Sequence, residues 1–255
     1  MTTQREDSLD QYFKTVQKLD KLSSILLWFS ITLSVVLLYL DRYTLLQAVA
    51  NISFIVVTLL YSVISNVNAL YYSRRANDAR VTQLISNAFG VSLDDEHTNQ
   101  YYNNKLPPST LRLGLNVFEN SFFSKTITEK MLFLERIKVL FSVIIWVILM
   151  VNRSTSLELL SVIAQTMLTT TIITNYLKLE ILHHGFNRFY EGCRWLFLHG
   201  AEQHPLSTSR ILDLAMRYET LKASMGINLS TRIFTQINAE KTEEWQRIKN
   251  KLNLE

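Results

Sequence analysis

Cysteine is almost missing from this chain. Cys193 is the only one in 255 residues, which excludes an intramolecular disulfide and a cysteine-built zinc site. Glycine and proline are scarce as well, at six and three, and no strand pattern of note appears, so the fold is expected to be all-α. Enzyme signatures are absent: there is no G-x-x-x-x-G-K-[ST] phosphate loop, no G-x-S-x-G elbow and no H-E-x-x-H pair. Charge is nearly balanced, 26 Lys and Arg against 22 Asp and Glu, for a net +4. Without a basic block this excludes a surface that coats a DNA or RNA polymer. The absence that constrains most is local: long stretches carry no charged side chain at all.

Tyr43 to Ser73 runs 31 residues without a charge, and Leu22 to Leu40 precedes it, separated only by Asp41 and Arg42. Crossing about 30 Å of hydrocarbon takes about 20 mostly apolar residues, so the two runs have the form of a transmembrane hairpin. The mean hydropathy of +0.09 conceals this because long polar segments dilute the apolar ones. A third run, Val139 to Val151, is short and reaches full length only if Leu132 to Leu134 extend it and Arg136 and Lys138 snorkel. A fourth, Leu159 to Leu177, completes a second hairpin. The polar, mixed-charge start of the chain lacks the form of a signal peptide, so the first run is expected to be retained.

Basic residues crowd one side of these runs: Lys14, Lys18 and Lys21, then Arg74, Arg75 and Arg80, then Arg136, Lys138 and Lys178. By the positive-inside rule both termini and the middle segment of a multi-pass membrane protein are expected to be cytoplasmic. The expected organisation is a cytoplasmic N-terminal helix (1–21), a first hairpin (22–73), a central cytoplasmic segment (74–138), a second hairpin (139–177) and a cytoplasmic helical tail (178–255). In the tail, Leu179, Leu182, Phe186, Phe189, Cys193 and Leu196 recur at helical spacing on one face. His204 and Pro205 end that helix. Ser207 or Thr208 caps the next, with Gly226 past its end, and a last helix starts near Ser230. The irregular part is expected from Asn87 to Asn116, broken by Gly90 and Pro107-Pro108, with a helix from Phe118 into the third run. At 31 residues, the second run is too long for one simple crossing and is expected to tilt or to project toward Asn87 as a stalk.

Three residue groups suggest chemistry. Asn51, Thr58, Ser62 and Ser65 fall on one stripe of the second run, and Gln165, Thr166, Thr169, Thr170 and Thr174 repeat the theme in the fourth. Such stripes suit a wetted pore after homo-oligomerisation, and equally suit close helix packing. No span holds Asp, Glu, Lys or Arg, which argues against a proton relay or voltage sensor. In the central segment, Tyr101, Tyr102, Asn103, Asn104, Arg112, Asn116, Asn120 and Lys125 gather what a small nucleotide needs: cations for phosphate, aromatic faces for bases and amides for base edges. The same types also suit loop packing and helix capping. His183 and His184 project about 100° apart on a helix and cannot share a metal; Asp94, Asp95, Glu96 and His97 read as a solvated loop. No cofactor, metal site or catalytic set is expected.

Ser86-Asn87-Ala88-Phe89-Gly90, Tyr101-Tyr102-Asn103-Asn104 and the run from Leu113 to Lys125 (LGLNVFENSFFSK), set between two hairpins, resemble the SMODS-associated four-transmembrane effector family. The resemblance implies a pore-forming effector of a bacterial CBASS anti-phage system. A partner cyclase would make a cyclic oligonucleotide messenger; the effector would bind it on the cytoplasmic side, associate and breach the inner membrane, in abortive infection. The competing expectation is a non-catalytic membrane scaffold that recruits a protein partner through its cytoplasmic helices.

Overall fold

The structure, a computed structural model, describes residues 6–7, 9–37, 40, 43–95, 98–99, 102, 104–151, 172–200 and 206–254. Among these the protein is all-helical apart from one two-residue ladder. Helix α1 spans Asp10–Leu37, α2 Thr44–Val67, α3 Ser73–Phe89, α4 Thr110–Val151, α5 Ile172–Leu198, α6 Ser207–Met225 and α7 Thr231–Leu252. A π-helical turn, Asn68–Tyr72, joins α2 to α3 without a break, so one helical path runs from Thr44 to Phe89. The ladder pairs β1 (Glu6–Asp7) antiparallel with β2 (Thr98–Asn99), a feature the sequence pattern did not signal.

The chain divides into two compact units. One comprises Met1–Asp10, Asn77–Leu134 and Leu177–Glu255; the other comprises Gln11–Ala76 and Glu135–Tyr176. In the first, an aromatic core forms because helical periodicity puts large rings on facing stripes. Trp245 of α7, fully buried, meets Phe118 edge-on at 4.9 Å and stacks on Phe122 at 5.7 Å. Phe118 also packs on Tyr190 and Phe197. Leu179, Leu182, Phe186, Phe189, Cys193 and Leu196 are all buried, so the face read from the α5 sequence is the packed one. A smaller cluster joins Ile127 of α4 to Ile233 and Ile237 of α7.

The second unit is built differently. Apart from Val16 its buried positions are small or polar, among them Ser23, Ser30, Ala50, Ser73 and Ala76, while Leu45, Val49, Ile52, Leu59 and Val63 of α2 and Leu140, Phe141 and Ile148 of α4 are exposed. Small residues let helix backbones approach, the pattern of packing in lipid, and a contiguous exposed apolar surface marks an interaction site rather than a water-facing one. Among the described residues one helix, Thr44–Phe89, is long and apolar enough to cross a membrane. Residues 159–171 of the fourth expected run lie outside the described residues, and its last six open α5; His204 and Pro205 also lie outside them, but α5 already ends at Leu198, ahead of both, so they are not what ends it.

Element ends show how local chemistry sets the boundaries. Gly90 takes φ +66° and the Val91 N–H bonds back to the Ser86 carbonyl at 3.1 Å, closing α3 through a left-handed glycine. Gly226 does the same for α6, and Ser230 caps α7 by accepting from the Ile233 N–H. Two expectations need correction. Leu206, not Ser207 or Thr208, occupies the cap position of α6, with no side-chain bond. Helix α4 starts at Thr110 rather than Phe118, because the proline pair precedes its first turn and Ser109 Oγ accepts from the Arg112 N–H at 3.2 Å, a cap that Pro107 and Pro108 do not disturb.

Candidate ligand-binding site

The segment from Gly90 to Ser109 links α3 to α4 and is tied to both. Gln83 Nε2 donates to Asp94 Oδ1 at 2.5 Å, the Leu93 N–H reaches Ser86 Oγ, and the Ser109 N–H reaches the Ala88 carbonyl. An amide ladder crosses its base. Asn104 Nδ2 donates to Asn116 Oδ1 at 2.5 Å, and Asn116 Nδ2 donates to Asn87 Oδ1 at 3.0 Å. Asn116 is completely buried. One turn along α4, Asn120 Nδ2 donates to Tyr102 Oη at 3.2 Å, and Arg112 Nη1 donates to the Leu106 carbonyl at 3.4 Å.

The expected binding residues therefore separate into groups. Tyr102, Asn104, Asn116 and Asn120 are brought together with Asn87, which the sequence reading had not included. Arg112 stands at the start of α4 beside the same segment. Lys125 is elsewhere: its ammonium sits 3.3 Å from the centre of the Tyr190 ring, and burial, only partly offset by Glu191 and Glu244, lowers its pKa. Tyr101 and Asn103 lie outside the described residues. Two polar atoms at this place are buried without a hydrogen-bond partner, Asn104 Oδ1 and Arg112 Nε. An unsatisfied buried acceptor and donor cost free energy unless something pairs with them, so the segment can receive a ligand that both donates and accepts. Replacing Asn116 with Ala strands the amides of Asn87 and Asn104 and is expected to cost about 1–3 kcal/mol, read from the shift in thermal unfolding followed by circular dichroism in detergent micelles.

A second polar cluster was not visible in the sequence. Arg80 of α3, buried, makes a two-pronged ion pair with Glu219 of α6. Asn77, Asp78, Arg80, Glu219 and Thr220 line a cavity of about 240 Å³. Burial acts to lower the Arg80 pKa, but Glu219 more than offsets it and holds the guanidinium above its usual value. Burial, and then the Arg80 charge, lowers Lys222 to about 7, with Glu219 opposing the shift. A lysine depressed in the folded state binds its proton more tightly when unfolded. Stability is therefore expected to rise with pH between about 7 and the ordinary lysine value of 10.5, where the folded chain has shed the proton and the unfolded chain keeps it. Thermal unfolding at pH 7 and pH 9 should show that rise in the native chain and a flatter profile in Lys222→Met.

The remaining sequence candidates fall as follows. Asn51, Thr58 and Ser62 are exposed on α2 and Ser65 is part-exposed, while Gln165, Thr166, Thr169 and Thr170 lie outside the described residues. His183 Nδ1 lies 3.4 Å from Thr128 Oγ1. Among the described residues no group of three or more His, Cys, Asp or Glu side chains is placed to hold a metal. Comparison with protein families, curated proteins and solved structures gives no match. What the described residues define is thus a class: helices apart from one two-residue ladder, one of them apolar and of membrane length, with a tied-down polar segment containing unpaired buried groups.

Proposed function

We propose that this protein is a bacterial inner-membrane effector of a CBASS-type anti-phage system, opened by a cyclic oligonucleotide. The observation that carries the membrane part is the charge-free, exposed apolar surface of α2, of a kind that soluble monomers rarely leave to water. In this reading four spans form two hairpins with both termini cytoplasmic. Asn51, Thr58, Ser62, Ser65, Gln165 and Thr169 line a path through a homo-oligomer, and no enzymatic step is involved.

The messenger part rests on the resemblance of the central segment and on its chemistry. Arg112 is the cation for a phosphate, with Tyr101 and Tyr102 as stacking faces. Asn103 and Asn104 read base edges while buried Asn116 holds Asn104 in position, and Lys125 joins only if the segment rearranges. Ligand binding must displace the Tyr102–Asn120 bond and in return pair Asn104 Oδ1 and Arg112 Nε. The messenger opens the pore only by binding the open arrangement more tightly; moving a population from 1:99 to 99:1 takes about 5.5 kcal/mol, which several sites in an oligomer can share. Purified full-length protein in liposomes of bacterial lipid should release entrapped dye with at least one member of a panel of cyclic di- and trinucleotides. Absence of both release and calorimetric binding across that panel would sink the reading.

A second reading, a membrane scaffold without a pore, is favoured by one observation: Asn116 and Asn120 already spend their amides inside the fold. Co-expression separates the two. The effector is toxic to bacteria only beside an active cyclase, whereas the scaffold is not toxic at all.

A further inference from the structure

The helical path from Thr44 to Phe89 is not uniform. At Asn68–Tyr72 it passes through a π turn, in which the Ser73 N–H bonds to the Asn68 carbonyl five residues back. Such a turn amounts to one residue inserted into an α-helix, is rare, and occurs frequently at functional sites. Asn68 explains why it persists here. Its side chain is 2% exposed, and Nδ2 donates to Asp20 Oδ1 at 2.7 Å and to the Val16 carbonyl at 3.2 Å, both on α1. One turn further on, the Arg75 guanidinium lies 5.3 Å from the centre of the Tyr12 ring, also on α1. The latch is incomplete, because Asn68 Oδ1 is buried with no hydrogen-bond partner; a group in that state gains by leaving.

We propose that the π turn is a register switch in the α2–α3 helix and that Asn68 is its latch. While Asn68 is docked on α1, the extra residue stays at Asn68–Tyr72 and the small buried residues Ser73 and Ala76 are held in place. When Asn68 undocks, the turn relaxes to α geometry and the residues that follow it up to Ala76 rotate by about 100°. Tyr72 and Arg75 then move into the positions of Ser73 and Ala76, and side chains of that bulk force α1 away from the end of α2. The switch goes beyond the effector reading and does not depend on any ligand.

The test uses the full chain in lipid nanodiscs, with Ser73→Cys as the probe and alkylation by a maleimide mapped by mass spectrometry. Cys193, fully enclosed and pushed up to about 12 by burial, stays unreactive while the protein is folded and serves as the internal control. Adding Asn68→Ala should speed labelling at position 73 by about tenfold, the equivalent of one lost charge-assisted hydrogen bond. Deleting Ala69 removes the inserted residue yet leaves the residues after it in register, so Asn68→Ala combined with that deletion should restore slow labelling. Equal labelling with and without Asn68→Ala overturns the switch, and so does fast labelling in the combined variant, because a merely structural asparagine would expose position 73 in both. If Asn68→Ala exposes Cys193 and so reports unfolding, Asp20→Ala, which spares the Val16 bond at an exposed position, should give a smaller increase. No increase there overturns the proposal equally.

Discussion

Replacing Arg80 with Met will destabilise the unit that contains it by about 3–5 kcal/mol, the usual cost of removing one partner of a buried ion pair. Arg80 and Glu219 have side chains only 7% and 15% exposed, so the carboxylate left behind loses its guanidinium partner in a largely desolvated place. The loss should come from the stranded charge rather than from the pair's net worth, and a second variant separates the two. Arg80→Met combined with Glu219→Leu removes both charges and keeps apolar volume, and should recover most of the stability. Thermal unfolding of the four species of this cycle in one detergent gives the coupling directly. The single variant should also raise the Lys222 pKa, since the Arg80 charge is one of the causes that depress it, and so flatten the rise of stability above pH 7. A single variant as stable as the native chain would contradict the burial on which this rests.

Trp245→Ala should be comparably severe, at about 3–5 kcal/mol. The indole is wholly buried and packs α7 on α4 against Phe118 and Phe122. Truncation leaves a cavity that two large rings of a long helix cannot collapse to fill. Trp245→Phe tests the mechanism: it keeps a ring in the stack and gives up an indole N–H that has no hydrogen-bond partner, so it should cost well under half as much. Loss of near-ultraviolet circular dichroism with helix content retained would show α7 undocked rather than unwound.

The legible parts of the fold were those written in local period or local capping. The buried face of α5 follows from one residue every three or four, and Gly226 and Ser230 mark helix ends by chemistry that acts over a single turn. What sequence could not show was set at long range. Arg80 and Glu219 are 139 residues apart, and no spacing rule connects them. The start of α4 was misplaced because Pro107-Pro108 was read as breaking the helix as far as Asn116, a stretch that includes Gly114. In the fold it is helical, and the Ile211 side chain packs 3.0 Å from where its Cβ would lie. Asn116 likewise resembled an exposed loop amide, whereas burial makes it the strut between Asn87 and Asn104. The π turn lies inside an unbroken uncharged run and has no signature of its own, since Asn68 is marked out only by the Val16 carbonyl and the Asp20 carboxylate on another helix.

For the 90–109 segment and the start of α4, residue types were legible and their contacts were not. Tyr102, Asn104, Asn116 and Asn120 do converge, but largely on one another, and Lys125 is drawn off by the Tyr190 ring. A ligand has to compete with those contacts, which makes Asn104 and Arg112, each with an unpaired buried atom, the positions where substitution should most directly separate binding from folding.

The most direct measurement of the central claim is conductance across a planar bilayer containing the full-length protein, with cyclic di- and trinucleotides added to one side at a time. The effector account predicts a silent membrane without ligand, then conductance with at least one cyclic oligonucleotide, only from the side that carries the 90–109 segment, and lost in Arg112→Ala. Current without ligand, identical responses from both sides, or silence across the whole panel would contradict it.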